Sequence, residues 1–116
     1  LAVGLAGWLL TAPAAAQTAY PDHPIRFIVG FTPGSATDIT ARLFAQKFSD
    51  AWKVPVTVEN VPGAGGSVGG ERVAKAMPDG ATLYWGANGA LTINPTLLTS
   101  QTYDVVRDLA PARDCW

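Results

Sequence analysis

The chain has little of the equipment with which proteins do covalent chemistry. Its 116 residues hold one cysteine, Cys115, and one histidine, His23. A lone thiol closes no internal disulfide, and one Cys with one His falls short of the roughly four ligands a structural zinc takes. Positive charge is scarce too: eight Lys and Arg against nine Asp and Glu leave a net charge of −1, with the signs dispersed. Without a basic stripe, nucleic acid is not the expected partner. The most apolar stretch, at the very start, runs for roughly 10–12 residues, too short for a bilayer span of about 20.

That opening stretch, Leu1–Ala16 (LAVGLAGWLLTAPAAA), is uncharged, apolar as far as Leu10, and closes on small residues. It has the apolar core and cleavage region of a secretory signal without the positive lead or the starting Met. The expected division is a partial signal peptide over residues 1–16, one folded α/β lobe over 17–111, and an aberrant end over 112–116.

What the chain does have is a regular alternation. Ile25-Arg26-Phe27-Ile28-Val29 is a β-branched and aromatic run, read as a first strand. From Asp38 to Trp52, apolar residues at Ile39, Leu43, Phe44, Phe48, Ala51 and Trp52 predict a helix buried along that face, with Arg42, Lys47 and Asp50 in solvent. Val56–Glu59 reads as a second strand, Val68–Met77 as a second helix, Thr82–Trp85 as a third strand, and Asn94–Leu98 as a helical turn with Pro95 near its start. Strand, helix, strand, helix, strand with short connections predicts parallel strands with helices packed on the sheet.

In such a sheet ligands bind beyond the carboxyl ends of the strands. The three loops leaving those ends, Phe31–Thr37, Asn60–Ser67 and Gly86–Ile93, are rich in Gly, Ser, Thr, Asn and Ala, while the turns at the other end are ordinary stops. A small-residue loop entering a helix exposes unpaired N–H groups, and the helix dipole points the same way, so an anion sits well there. Gly34 permits close approach, and Ser35 and Thr37 add hydroxyls. Plain capping explains Ser35 and Thr37 as well. Asp38 reads either as a cap of its own helix or as an acceptor for a ligand, and Asn88 and Asn94 either read a ligand or satisfy turn backbone. Trp85, at the end of the third strand, reads as core close enough to shape a pocket wall.

The nature of the anion follows by elimination. Residues Gly63–Glu71 contain no Lys, so a Walker A loop is absent, and Val68 stands where a dinucleotide fingerprint needs Gly or Ala. His23 precedes the first strand, at the wrong end of the sheet to serve Ser35 or Ser67 as a base. No Lys or Arg lies near the glycine loops in the sequence. Donors without a base or nucleophile point to binding rather than catalysis, and a carboxylate suits main-chain N–H and hydroxyl donors.

These same segments carry a resemblance. Tyr20-Pro21-x-x-Pro24-Ile25-Arg26-x-Ile28-Val29, Phe31-x-Pro33-Gly34-x-x-Thr37-Asp38 and Val58-Glu59-Asn60-x-Pro62-Gly63-Ala64-Gly65-Gly66 resemble the Bug family, and Pro78-Asp79-Gly80, Asn94-Pro95 and Tyr103-Asp104 continue the match. These are periplasmic substrate-binding proteins of tripartite tricarboxylate transporters. The resemblance implies a type II-like periplasmic-binding-protein fold, here an incomplete first lobe, and two lobes closing over a small organic acid. It implies no enzyme activity, no cofactor and no metal. As partners it implies a dicarboxylate, tricarboxylate or aromatic carboxylate and the membrane components of the transporter; as location, the periplasm. Ligand contacts are expected from Phe31, Pro33, Gly34, Ser35, Ala36, Thr37, Asp38, Gly65, Gly66, Asn88, Gly89 and Asn94. Ser35 stands where the family often has a second Gly. The rival readings are a truncated non-functional fragment, a periplasmic ligand sensor, and a phosphate-handling enzyme domain.

Overall fold

The computed structural model describes residues 19–112, so the expected signal segment and all but Ala112 of the expected aberrant end lie outside the described residues. The fold is α/β. Three strands, β1 (Ile25–Val29), β2 (Val56–Asn60) and β3 (Thr82–Trp85), form a parallel sheet in the order β2-β1-β3. Ile25 pairs with Val56 and Arg26 with Thr82, so the three strands start and end nearly level. Because both neighbours run parallel to β1, the loops after all three strands leave at one edge of the sheet.

β1 is central and carries the core. Ile25, Phe27, Ile28 and Val29 are at most 1 % exposed, each contributing roughly 1.5–3 kcal/mol of apolar burial. Side chains alternate across a strand. Ile25, Phe27 and Val29 accordingly face helix α1 (Ala36–Trp52), against Ala41 and Ala45. On that face Trp85 lies 5.5 Å from Phe27 and 5.1 Å from Phe44, ring centre to ring centre, and Phe48 stacks on Trp52 at 4.6 Å. The opposite face receives helix α2 (Ser67–Ala74), where Gly69 lies against Gly30 and the ring of Tyr84.

The ends of α1 follow local rules. Ser35 is its N-cap, accepting from the Asp38 N–H at 3.2 Å. Lys53, at φ 59°, closes it with its N–H on the Ser49 carbonyl, and Pro55 prevents continuation. The buried face agrees with the expected one at Phe48 and Trp52, which pack on the core, and differs elsewhere. Asp38, Ala41 and Ala45 are buried, whereas Ile39 and Leu43 are 60 % and 56 % exposed and Ala51 is exposed as well. The apolar spacing was real, but small alanines bring the helix close to the sheet, which rotates the bulkier residues outward. After β3 a wide helical turn over Gly89–Ile93 runs into α3 (Asn94–Leu97), and a short α4 (Val105–Asp108) follows. Among the described residues no helix is long and apolar enough to cross a membrane.

Candidate functional site

The three loops at the carboxyl ends of the strands meet at one glycine. A side-chain carbon on Gly66 would come within 3.0 Å of Ala90 and 3.5 Å of the Phe31 ring, and one on Gly30 would strike Gly66 Cα at 2.7 Å. Gly66 is therefore where the loops after β1, β2 and β3 touch. Its φ of 102° is open to glycine alone at low cost. The Tyr84 hydroxyl donates to the Gly66 carbonyl at 2.8 Å. Burial, with Tyr103 nearby, pushes the Tyr84 phenol up to about 12, so it remains a donor at any ordinary pH.

The first loop is tied down by a polar network centred on Asp38, which is 3 % exposed. Its carboxylate accepts from the Gly34 N–H at 2.9 Å, from Arg42 Nε at 3.0 Å and from Asn60 Nδ2 at 2.9 Å. Asn60, the last residue of β2, also donates to the Phe31 carbonyl at 3.0 Å and accepts from Arg42 Nη2 at 3.0 Å. With Ser35 capping the Asp38 N–H and Asp38 reaching back to Gly34, the arrangement is a capping box displaced by one residue. The Arg42 guanidinium, the Gly34 N–H and the Asn60 amide hold the Asp38 carboxyl at about 2. Of the two roles open to Asp38, the chain's own donors occupy its oxygens.

The donors expected between Gly34 and Thr37 divide into two pairs. Gly34 donates to Asp38, and the Ser35 N–H donates to the Thr32 carbonyl at 3.2 Å. The Ala36 and Thr37 N–H groups, at the head of a 17-residue helix, meet no acceptor among the described residues. Beside them Gly34, at φ 83°, has open space where a side chain would stand. Pro33, Gly34 and Ala36 are exposed, and Phe31, Ser35 and Thr37 are half-buried.

The second loop is closed in on itself. Gly66 N–H donates to the Gly63 carbonyl at 2.9 Å and Ser67 N–H to the Ala64 carbonyl. Asn94 Nδ2 donates to the Ala64 carbonyl at 3.0 Å and to Ser67 Oγ at 2.9 Å, so of the two roles open to Asn94 its amide nitrogen takes the structural one. Gly65 remains exposed beside it, Asn88 is exposed, and Gly89 has open space around it. The rim thus gathers the twelve expected residues at one sheet edge, with Asp38 and Gly66 buried beneath it.

Three features escaped the sequence reading. Arg42 is exposed as expected, but no cation was expected near the loops, and its guanidinium bridges Asp38 and Asn60. The Asp38/Arg42 spacing of four on a helix was the available signal. Asn60 was read as the start of a turn, and nothing in the sequence marks it as a bridge. Gly65-Gly66-Ser67-Val68-Gly69 has the letters of a Gly-x-Ser-x-Gly nucleophile elbow, on the required strand–turn–helix. The geometry denies it that role. Ser67 has unstrained helical torsions (φ −62°, ψ −32°), is 7 % exposed and is engaged by Asn94. His23 sits at the other end of the sheet, in contact with Asp22 and 3.9 Å from Asp79.

A family model described as the tripartite tricarboxylate transporter family receptor matches residues 40–114. Protein BugT of Bordetella pertussis is 42% identical over 103 residues, covering 88% of this chain and 31% of its own length. A solved structure of a periplasmic transporter superposes with a TM-score of 0.72 at 43% identity, over 76% of this chain and 30% of that one. MatC from Rhodopseudomonas palustris, solved with bound malate, gives 0.71 at 34% identity, over 77% and 30%. The chain spans about 30% of the length of the curated relatives it matches.

Proposed function

The chain belongs to the tripartite tricarboxylate transporter receptor family, and we propose that its three-loop rim is the first-lobe wall of a cleft for a small organic carboxylate. Relatives of this chain are periplasmic solute-binding proteins, and we place this one in the periplasm, delivering its ligand to the membrane components of a tripartite tricarboxylate transporter. Ligand capture is its task, with no reaction catalysed.

The observation that carries the reading is the pair of unaccepted N–H groups on Ala36 and Thr37 beside open space at Gly34. Two adjacent amides at a helix head match the two oxygens of a carboxylate, and the helix dipole favours the negative charge. The Ser35 and Thr37 hydroxyls of the same turn, and the exposed Asn88 of the loop after β3, are the further polar groups the rim offers. The Asp38 network supplies rigidity: it holds the loop in place before the ligand arrives, so little ordering entropy is lost on binding. A bare rim buries only one side of a ligand. Its second wall, in a two-lobed receptor, closes by a hinge and excludes water. The malate held by a structural neighbour at 34% identity supports the ligand class.

Isothermal titration calorimetry of the two-lobed receptor carrying this lobe tests the proposal, with malate, citrate and benzoate as probes. Heat with at least one acid, with the affinity about tenfold weaker in the Ala36→Pro variant, is the expected result. Ala36 is the first residue of the helix, where Pro fits and only the N–H disappears. The extended Ser35 (φ −67°, ψ 159°) already suits a following Pro. Binding of all active acids unchanged in that variant would overturn the assignment of these amides.

A further inference from the structure

One side chain stands inside the junction of the three loops. Tyr84, on β3, is paired with Ile28 of the central strand, and its ring occupies a slot lined by four glycines. A side-chain carbon on Gly30 or Gly66 would come within 2.8 Å of its hydroxyl, one on Gly69 within 3.3 Å of the ring, and one on Gly86 within 2.2 Å. These glycines follow β1, close the second loop, lie in α2 and follow β3. Of the four only Gly66 has a positive φ. At Gly30, Gly69 and Gly86 the backbone therefore gives no reason for glycine, whereas close approach to the tyrosine does.

We propose that Tyr84 is a positioning residue for the carboxylate site: its hydroxyl fixes Gly66, and through Gly66 the first turn of the rim. The inference rests on the rim being that site. Each link is short. Tyr84 Oη donates to the Gly66 carbonyl at 2.8 Å. Gly66 lies against the Phe31 ring, at the start of the first loop, and against Ala90 in the third. The Phe31 carbonyl accepts from Asn60 Nδ2 at 3.0 Å, and the same amide donates to Asp38 at 2.9 Å. Asp38 in turn accepts the Gly34 N–H at 2.9 Å. Packing this close passes a displacement on rather than absorbing it.

The ring and the hydroxyl have separate parts in this. A phenylalanine would fill the same slot and keep its packing. Only the hydroxyl gives the contact a direction, and without it the carbonyl of buried Gly66 loses a donor and turns towards another. The Asp38 network supports the first turn from α1 and β2. Tyr84 adds the third strand to that support, so all three strands set where the free amides of Ala36 and Thr37 stand.

The two-lobed receptor carrying this lobe tests the proposal as Tyr84→Phe, with Ser49→Ala as the control. Ser49 Oγ donates to the Val54 carbonyl at 2.9 Å, so the control deletes the same kind of bond at the far end of α1. Calorimetry with malate, citrate and benzoate should show affinity about three- to tenfold weaker in the Phe variant, the size of one net hydrogen bond, and unchanged in the control. Hydrogen exchange at the Gly34 amide, read by NMR without ligand, should be several-fold faster in the Phe variant alone. Unchanged affinity in the Phe variant, while the other two proteins bind, overturns the role of Tyr84 and leaves the site standing. Equal losses in both variants overturn it as well, since they reflect stability only, and so does an unchanged Gly34 exchange rate. No heat from any of the three proteins overturns the carboxylate site itself, and this use of Tyr84 with it.

Discussion

Two strand-to-helix turns stand side by side in this lobe, and they use glycine in opposite ways. The turn after β2 is the glycine-rich one, with Gly63, Gly65 and Gly66 all at positive φ. There the missing side chains let backbone pack on backbone: Gly66 is buried against Gly30, Phe31 and Ala90, and the amides turn inward onto the loop's own carbonyls. The turn after β1 has a single positive-φ glycine, Gly34, standing in open space. Its own carboxylate, Asp38, takes one amide, its serine caps another, and two meet no acceptor among the described residues. A glycine-rich loop is therefore no guide to where free amide donors lie. The turn with free donors is the one whose shape is fixed by side chains rather than by tight packing.

Substitutions at the two turns should separate these roles. The largest effect is expected at Gly66→Ala, where a strained φ adds to collisions with the Tyr84 hydroxyl at 2.8 Å and Ala90 at 3.0 Å. A loss of about 3 kcal/mol or more in urea unfolding would fit. Gly34→Ala carries the φ strain without a collision, so about 1 kcal/mol is expected in the same experiment. Equal losses at the two sites would dissolve the contrast.

Asp38→Asn probes the network that shapes the first turn. It should lower the urea midpoint at neutral pH, and the difference from the unsubstituted protein should depend on pH. The folded carboxyl titrates at about 2, below its ordinary 3.8. Its contribution is therefore complete above about pH 4 and lost as pH falls towards about 2. Unfolding curves of the two proteins converging over that window would support the network; a constant gap down to pH 2 would not.

Ala36→Pro gives the smallest effect on folding and a selective effect on binding. Removing one charge-assisted N–H contact should weaken carboxylate affinity about tenfold, with unfolding nearly unchanged. Calorimetry on the two-lobed receptor measures the first and a melting curve the second. Loss of stability matching the loss of affinity would mean that the amide serves the fold.

The positions of all three strands were legible before the structure, within one residue at each end, because β-branched and aromatic runs bounded by Pro and Gly have few other uses. The parallel arrangement followed from the alternation with helices. The helix face was legible only in part. Phe48 and Trp52 pack on the core as their spacing predicts, but Ile39 and Leu43 do not, and Ala41 and Ala45 are buried in their place, because closeness to a sheet rewards small side chains as well as apolar ones. The gathering of the three loops at one sheet edge was legible, while the network that holds the first of them was not, since Asn60 reaches Asp38 from 22 residues away in the chain.

By itself, then, the amino-acid order determined the elements, their alternation and the edge of the sheet where open backbone collects, because these depend on neighbours a few positions apart. Tertiary structure alone decided how the rim is held. The acceptors of its amides are local, since Gly34 donates to Asp38 and Ser35 to Thr32. The carboxylate of Asp38 is fixed in turn by Arg42 of α1 and Asn60 of β2, and only the packing of these elements and of the three loops around Gly66 brings those groups together.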